Sequence, residues 1–391
     1  MTRLRVAAAA LNQTPLDWPG NEERIRAALR AAREQGVDLL CLPELCIPGY
    51  GCEDAFHGTH VVERSERVLA SLLPETQGLV VAFGLPILYH HALFDCAVLV
   101  ADGKPLGIVA KQHLAGDGLH YEPRWFKPWP EGVEARVTLC GVEVPIGDLQ
   151  FEVGGVRIGF EICEDAWVAS RPGARLAARG VDVILNPSAS HFAFGKLAVR
   201  RRFVVEGSRA FGATYVYGNL LGNEAGRAIY DGGVLIASGG ALVAQGPRLS
   251  LAPWTMTAAT VDIAATRTQQ TRTASFRPAF DDTGLVRVER AWKPSAKSAP
   301  TPAVAAWEKG EHLKEEEFLR AETLGLWDYL RKSRSHGFVV SLSGGCDSAA
   351  VASLVGMMVK RAVEELGLAG VKKTLAYVPK LDEAKDEREL V

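Results

Sequence analysis

A mixed α/β fold with its chemistry at strand ends is predicted by three observations. A helix signal runs straight into a short apolar run; the same cadence returns twice; and each run gives out in polar residues. The first helix is NEERIRAALRAAREQG from Asn21, with a capping residue, acids in the first turn, an apolar stripe through Ile25, Leu29 and Ala32, and Gly36 as a stop. It leads into VDLLCLPE, an apolar run of buried-strand type ending at Glu44. The cadence returns as ARLAARGVDVILNPS and as VVEGSRAFGATYVYGN, while VVAFGLPI, DCAVLV and PLGIVAKQ add three strands. Ahead of them, MTRLRVAAAALNQTP reads as a first strand and not as a signal peptide. In GVRIGFEICEDAW, Val156, Ile158, Phe160 and Ile162 alternate with Arg157, Gly159, Glu161 and Cys163. That is the period of a half-buried strand, and Cys163 falls where it gives out.

Composition narrows the function classes. The 391 residues are 48% hydrophobic and 23% charged, ordinary for two or three domains without a membrane origin. With 44 basic and 46 acidic residues the formal charge is -2, which gives no electrostatic footprint for nucleic acid or an anionic membrane. Seven scattered cysteines, an odd number, do not form a secreted disulfide framework, so a reducing, cytoplasmic setting is expected. The window FVVSLSGGCDSAAVASLVGMMV is long and largely apolar, but Asp347 and a Gly-Gly pair at its middle argue against a membrane span. CLPELCIPGYGC lacks the short pairing of zinc sites, so no metal role is assigned to Cys41, Cys46 or Cys52.

The α/β region extends over residues 1–275. Residues 276–314, rich in proline at 294, 300 and 302, read as a linker. From residue 315 to 391 a helix leads to a strand, a glycine turn, a long helix and the strand-like TLAYVP. One such unit has too little surface to bury a core, so this part is expected to be an incomplete domain or to fold against something else.

Three strand ends carry a carboxylate, an amine and a thiol: PELCIPGY with Glu44, AKQHLAGDGLHYEPRWF with Lys111, and EICEDAW with Cys163. Acyl transfer from an amide needs that set, because a carboxylate takes the thiol proton, the thiolate attacks the carbonyl and an ammonium stabilises the oxyanion. Singly, a strand-end glutamate or lysine is usually a surface charge, and a lone cysteine a small core residue. Together and in this order they closely resemble the nitrilase superfamily of carbon-nitrogen hydrolases, over residues 3 to about 265. The resemblance implies an α-β-β-α sandwich with Glu44 as general base, Lys111 as oxyanion stabiliser and Cys163 as nucleophile. It further implies that the Glu164 N–H completes the oxyanion hole, that Glu122 positions the lysine and base, and that the protein is a homo-oligomer. In NPSASHFAFGK, Ser190 and Lys196 match positions that contact glutamine in glutamine-using members; a capping serine and a solvated lysine are the bland alternatives. Those members often carry a tyrosine soon after the lysine motif, where this chain offers Asp117 or Tyr121.

The second motif, SLSGGCDSAA, sets a glycine loop at a helix N-terminus and so offers N–H groups and hydroxyls to an anion. It lacks the GK[ST] of a P-loop NTPase. It resembles the pyrophosphate loop of ATP pyrophosphatases, which places ATP at Ser343, Gly344, Gly345, Asp347 and Ser348 and implies the start of a parallel-sheet domain like the adenine-nucleotide α-hydrolases. An amidase followed by this loop resembles the architecture of the glutamine-dependent NAD synthetase family, truncated in its second half. The resemblance implies glutamine, ATP with Mg²⁺ and deamido-NAD as substrates and no bound prosthetic group. The 391 residues are then expected to support the glutaminase half alone. A free-standing amidase or nitrilase on a small amide and a non-catalytic scaffold are the competing readings.

Overall fold

The computed structural model describes residues 3–224, 226–292 and 304–390. One sheet contains β1 (Arg3–Leu11), β2 (Leu39–Cys41), β3 (Val80–Tyr89), β4 (Ala92–Ala101), β5 (Lys104–Ala110), β6 (Glu134–Leu139) and β7 (Val142–Gly147). A second takes β8 (Gln150–Val153), β9 (Val156–Phe160), β10 (Val183–Ser188) and β11 (Thr214–Asn219); β12 (Leu221–Asn223) and β13 (Ile229–Asp231) form a hairpin beside it. The second sheet continues with β14 (Leu235–Ser238) and β15 (Ala241–Gln245), β16 (Trp254–Asp262) returns to the first, and β17 (Leu285–Val288) closes the second. The orders are β16-β1-β2-β3-β4-β5-β7-β6 and β15-β14-β11-β10-β9-β8-β17.

Strand alternation explains the layering. In β1, Leu4, Val6, Ala8 and Ala10 face the second sheet, where they share a core with Phe151, Ile158, Val183, Leu185 and Val216. The intervening Ala7, Ala9 and Leu11 pack outward on α1 (Trp18–Glu34) and α2 (Thr59–Leu72) through Ile25, Leu29, Val68 and Leu69. A four-residue turn of helix, α3 (Glu122–Trp125), follows the first sheet's β5. On the far side of the second sheet, Ile184, Tyr215 and Tyr217 meet α4 (Pro172–Ala178) and α5 (Lys196–Ala210) through Leu176 and Val204. The result is an α-β-β-α sandwich.

The rest of the chain packs onto that sandwich. After β16 comes α6 (Ile263–Arg272), and further on α7 (Leu313–Lys332) and α8 (Cys346–Thr374), which kinks at Gly367. Leu324, Trp327, Met358 and Ala362 of α7 and α8 join the core cluster that also holds the inter-sheet residues. Asp328 is buried and ties α7 down, accepting from Asn12 Nδ2 at 3.1 Å and from the Asn223 N–H at 2.6 Å. Lys332 donates to Asn12 Oδ1 and to the carbonyls of Gln13 and Asn223 at 2.6–2.8 Å.

Three readings of the sequence change. The first helix starts at Trp18 under an Asp17 cap, and Asn21 is instead a buried hub bonded to Thr14 and Ile47. The polar Asp17-Trp-Pro start outcompetes it, since proline fits the first turn of a helix. Within the stretch read as linker, β17 pairs in parallel with β8, while residues 293–303, with their three prolines, lie outside the described residues. The strand-loop-helix-strand expected from 337 onward is reduced to loop and helix. Residues 338–343 are unpaired, with Val339 fully exposed, and 375–379 form turns. A strand exists only by pairing, and among the described residues no partner strand lies beside this segment. No helix among the described residues is long and apolar enough to cross a membrane.

Candidate active site

The residues singled out in the sequence sit just beyond β2, β5, β9 and β10, whose C-terminal ends the two facing sheets bring together. Lys111 is completely buried, with Nζ 2.5 Å from Glu44 Oε1, 2.7 Å from Glu122 Oε2 and 3.5 Å from Asp95 Oδ2. The carboxylate oxygens of Glu44, Asp95 and Glu122 lie within 4.8 Å of one another, a spacing that would suit a cation, and the ammonium occupies that place. Burial works against the Lys111 charge, but Glu122, Glu44 and Asp95 outweigh it and hold the ammonium above its ordinary range. Burial pushes the Glu44 carboxyl well up; Lys111 opposes this, and Asp95 and Glu122 add to it.

Cys163 opens a 3-10 turn that two residues separate from the end of β9, and it is 4% exposed. Its φ of +43° is costly for a residue with a Cβ, and Leu45, next to Glu44, has the same left-handed backbone at +46°. Burial raises the thiol well above its usual value, the Glu44 charge raises it further and Lys111 opposes both, so all three share one electrostatic site. Asp165 fixes the turn: it accepts from the Ile162 N–H at 3.0 Å, and from the His113 N–H at 2.8 Å and Nδ1 at 3.0 Å. The half-buried Glu164, raised by burial, also lies within reach of Lys111, Glu122 and Asp117.

Glu122 is the hub on the other side. It accepts from the Ala115 N–H at 2.9 Å and from the Tyr50 hydroxyl at 2.7 Å. Tyr50 also meets His120 Nδ1, whose Nε2 lies 2.9 Å from His191 Nδ1, and Lys196 Nζ stands 3.2 Å from the same ring. Burial lowers both histidines to about 4, so they are neutral, and burial with the Arg200 charge lowers Lys196 to about 8. Lys196 also stands over the Trp167 ring at 5.5 Å and carries influence from the Cys163 thiol. Ser190 is buried and accepts from Arg200, which pairs with Asp231 at 2.5 Å; Asp231 binds Arg248, and Arg248 reaches Glu317 of α7 at 2.9 Å.

The structure therefore gathers Glu44, Lys111, Glu122, Cys163, Glu164 and Lys196, with Ser190 on the supporting network. Tyr121 is half exposed, its ring under Arg227, while the Asp117 charge reaches Glu164. Ser343, Gly344 and Gly345 lie in an exposed loop ahead of α8 and Asp347 and Ser348 in its first turn, where Ser348 Oγ donates to the Gly345 carbonyl; Gly344 has φ +81°. Sequence reasoning missed Asp95, Tyr50, His120 and His191. An acid inside the apolar run DCAVLV was the available signal for the first; no local signal marked the two histidines, which separate loops bring together.

Gly84 of β3 shows how closely the base is held. A Cβ there would lie 2.6 Å from the Pro43 carbonyl and 2.9 Å from the Glu44 carbonyl carbon, both backbone. Gly84→Ala is expected to displace the loop carrying Glu44 and to lower stability by about 1–3 kcal/mol, read from urea unfolding.

The comparisons with known proteins follow the same division of the chain. The carbon-nitrogen hydrolase family model matches residues 5–273, and the NAD synthase model matches residues 318–384. The chain is 33% identical to the glutamine-dependent NAD(+) synthetase of Saccharomyces cerevisiae, covering 98% of this chain and 56% of that one. The human glutamine-dependent NAD(+) synthetase is also 33% identical, with 96% and 55% covered. A crystal structure of the synthetase from Cytophaga hutchinsonii is 39% identical with a TM-score of 0.78, covering 96% of this chain and 55% of that one. An amidase from Nesterenkonia superimposes at a TM-score of 0.54 and 20% identity, a likeness of fold. The chain spans about half the length of the curated relatives it matches. With the sandwich, the buried cluster beyond its strand ends and a family match over most of its residues, the chain belongs to the carbon-nitrogen hydrolase family.

Proposed function

We propose that this chain carries the glutaminase centre of a glutamine-dependent NAD synthetase, releasing ammonia from glutamine for ATP-dependent amidation of deamido-NAD. The observation that carries the reading is the buried Lys111 ammonium clamped between Glu44 and Glu122, with the Cys163 thiol under the same charges. Glu44 takes the thiol proton as the sulfur attacks the side-chain amide carbon, and the oxyanion develops beside Lys111 and the Glu164 N–H. Glu44 returns the proton to the departing nitrogen, the carbon–nitrogen bond breaks and a thioester remains for water to hydrolyse. Glu122 positions the ammonium, and Ser190, Lys196 and the Glu164 carboxylate recognise the charged end of glutamine. A half-buried ammonium lowered to about 8 and an adjacent carboxylate suit an amino acid's own carboxylate and ammonium.

The loop from Ser343 to Ser348 holds the phosphates of ATP, which arrives with Mg²⁺ as its substrate partner, through N–H groups and hydroxyls at the start of α8. The amidase and this loop divide the chain near residues 275 and 315. The setting is a homo-oligomer in the cytoplasm. The test is ammonia release from glutamine, asparagine and a simple aliphatic amide. Selective release from glutamine is expected; turnover of the aliphatic amide alone would make this a free-standing amidase.

A further inference from the structure

The site holds one carboxylate more than its chemistry uses. Asp95, in the middle of the first sheet on β4, is buried beside Glu44 with its Oδ2 3.5 Å from Lys111 Nζ, and its backbone carbonyl accepts from the Lys111 N–H at 2.9 Å. Both Asp95 oxygens, and Glu44 Oε2, find no hydrogen-bond donor on the protein. Three buried carboxylates share one ammonium, so full ionisation would leave uncompensated charge, with Glu44 Oε2 and Asp95 Oδ1 lacking a donor and Asp95 Oδ2 only ion-paired to Lys111 at 3.5 Å. A proton between Glu44 and Asp95 eases both problems, because it supplies a donor to the pair and neutralises one charge.

We propose that Asp95 is a positioning residue of the glutaminase site, sharing one proton with Glu44 in the resting state and keeping it when Glu44 acts as base. This rests on the function proposed above. At rest the pair binds one proton. As substrate enters, that proton settles on Asp95, Glu44 becomes the free carboxylate, accepts the Cys163 proton and later passes it to the leaving nitrogen. Asp95 retains its own proton throughout, so no co-reactant is needed. The groups facing the pair are Lys111 from the end of β5, Glu122 from α3, Cys163 from the turn after β9, Tyr50, Tyr230 of β13 and the buried Cys96 thiol. Burial raises both carboxyls, and each feels the Glu122 charge as a further push upward, in the direction a shared proton requires.

Asp95→Asn keeps the shape and removes the shared proton. Infrared difference spectra at pH 7, wild type minus Asp95→Asn, are expected to show the stretch of a protonated carboxyl; its absence would overturn the proposal whether or not glutamine is the substrate. With glutamine as substrate, Asp95→Ala removes the protonated carboxyl that donates to ionised Glu44, so the acidic limb of kcat/KM should move up by about one pH unit. An unmoved limb in an active variant would overturn it too. Asp95→Ala, which also removes the shared proton, should give the infrared signature too if the asparagine variant folds poorly. Wild type that releases no ammonia would instead count against the glutaminase reading, leaving the infrared result to decide the shared proton.

Discussion

Cys163→Ala is expected to reduce ammonia release from glutamine by at least about 10³-fold while leaving the fold intact. The reason is that the alternatives are poor: Glu44 and Lys111 are buried against one another, so without the sulfur only water could attack, and the site gives it no defined position. Stability should change by no more than about 1 kcal/mol, because a buried sulfur is small and alanine bears the same φ of +43°. Mass spectrometry of wild type quenched during turnover should find a glutamyl thioester on Cys163 that the variant lacks. Retention of more than a tenth of the wild-type rate would sink Cys163 as the nucleophile.

Lys111→Met has the larger structural consequence. The ammonium is what makes three buried carboxylates tolerable, and removing one partner of a buried ion cluster costs about 3–5 kcal/mol. The sign of its pH dependence follows from the direction of the carboxyl shifts. Glu44 and Asp95 already lie above their unfolded values through burial, and losing Lys111 raises them further. Groups raised in the folded state favour folding below their unfolded pKa and lose that contribution as pH climbs through the folded one. The deficit of Lys111→Met against wild type should therefore be small near pH 4 and grow toward pH 8, measured by urea unfolding at both. A deficit independent of pH would mean the side chain is held for its bulk. Activity should fall in parallel by about 10²–10³-fold through loss of oxyanion stabilisation.

The residues legible in the sequence share one property: Glu44, Lys111 and Cys163 each follow an apolar run, so a reactive group stands out against a strand whose period is clear. Asp95 shares the face of Ala97 and Leu99 in β4, and its run read as an ordinary strand; only the clash between a charge and an inter-sheet position betrayed it. Asn21 looked like a cap because capping residues are common at helix starts, and the proline two residues earlier decided otherwise. The segment before the glycine loop had strand composition but, among the described residues, no neighbour to pair with, and composition cannot supply a neighbour. The His120–His191 contact depends on loops 71 residues apart, which no local window sees.

The order in which the chain leaves the ribosome gives the Arg248 bridge a further meaning. Ser190 is held by Arg200, Arg200 by Asp231, Asp231 by Arg248, and Arg248 by Glu317 of α7. Everything in that relay up to Arg248 is made before α7 exists. During synthesis the nascent sandwich thus carries an arginine whose last carboxylate partner has yet to emerge, and the wall behind Ser190 gains its final brace only once α7 docks. The last link in the support of Ser190 is thus supplied by a helix from outside the sandwich.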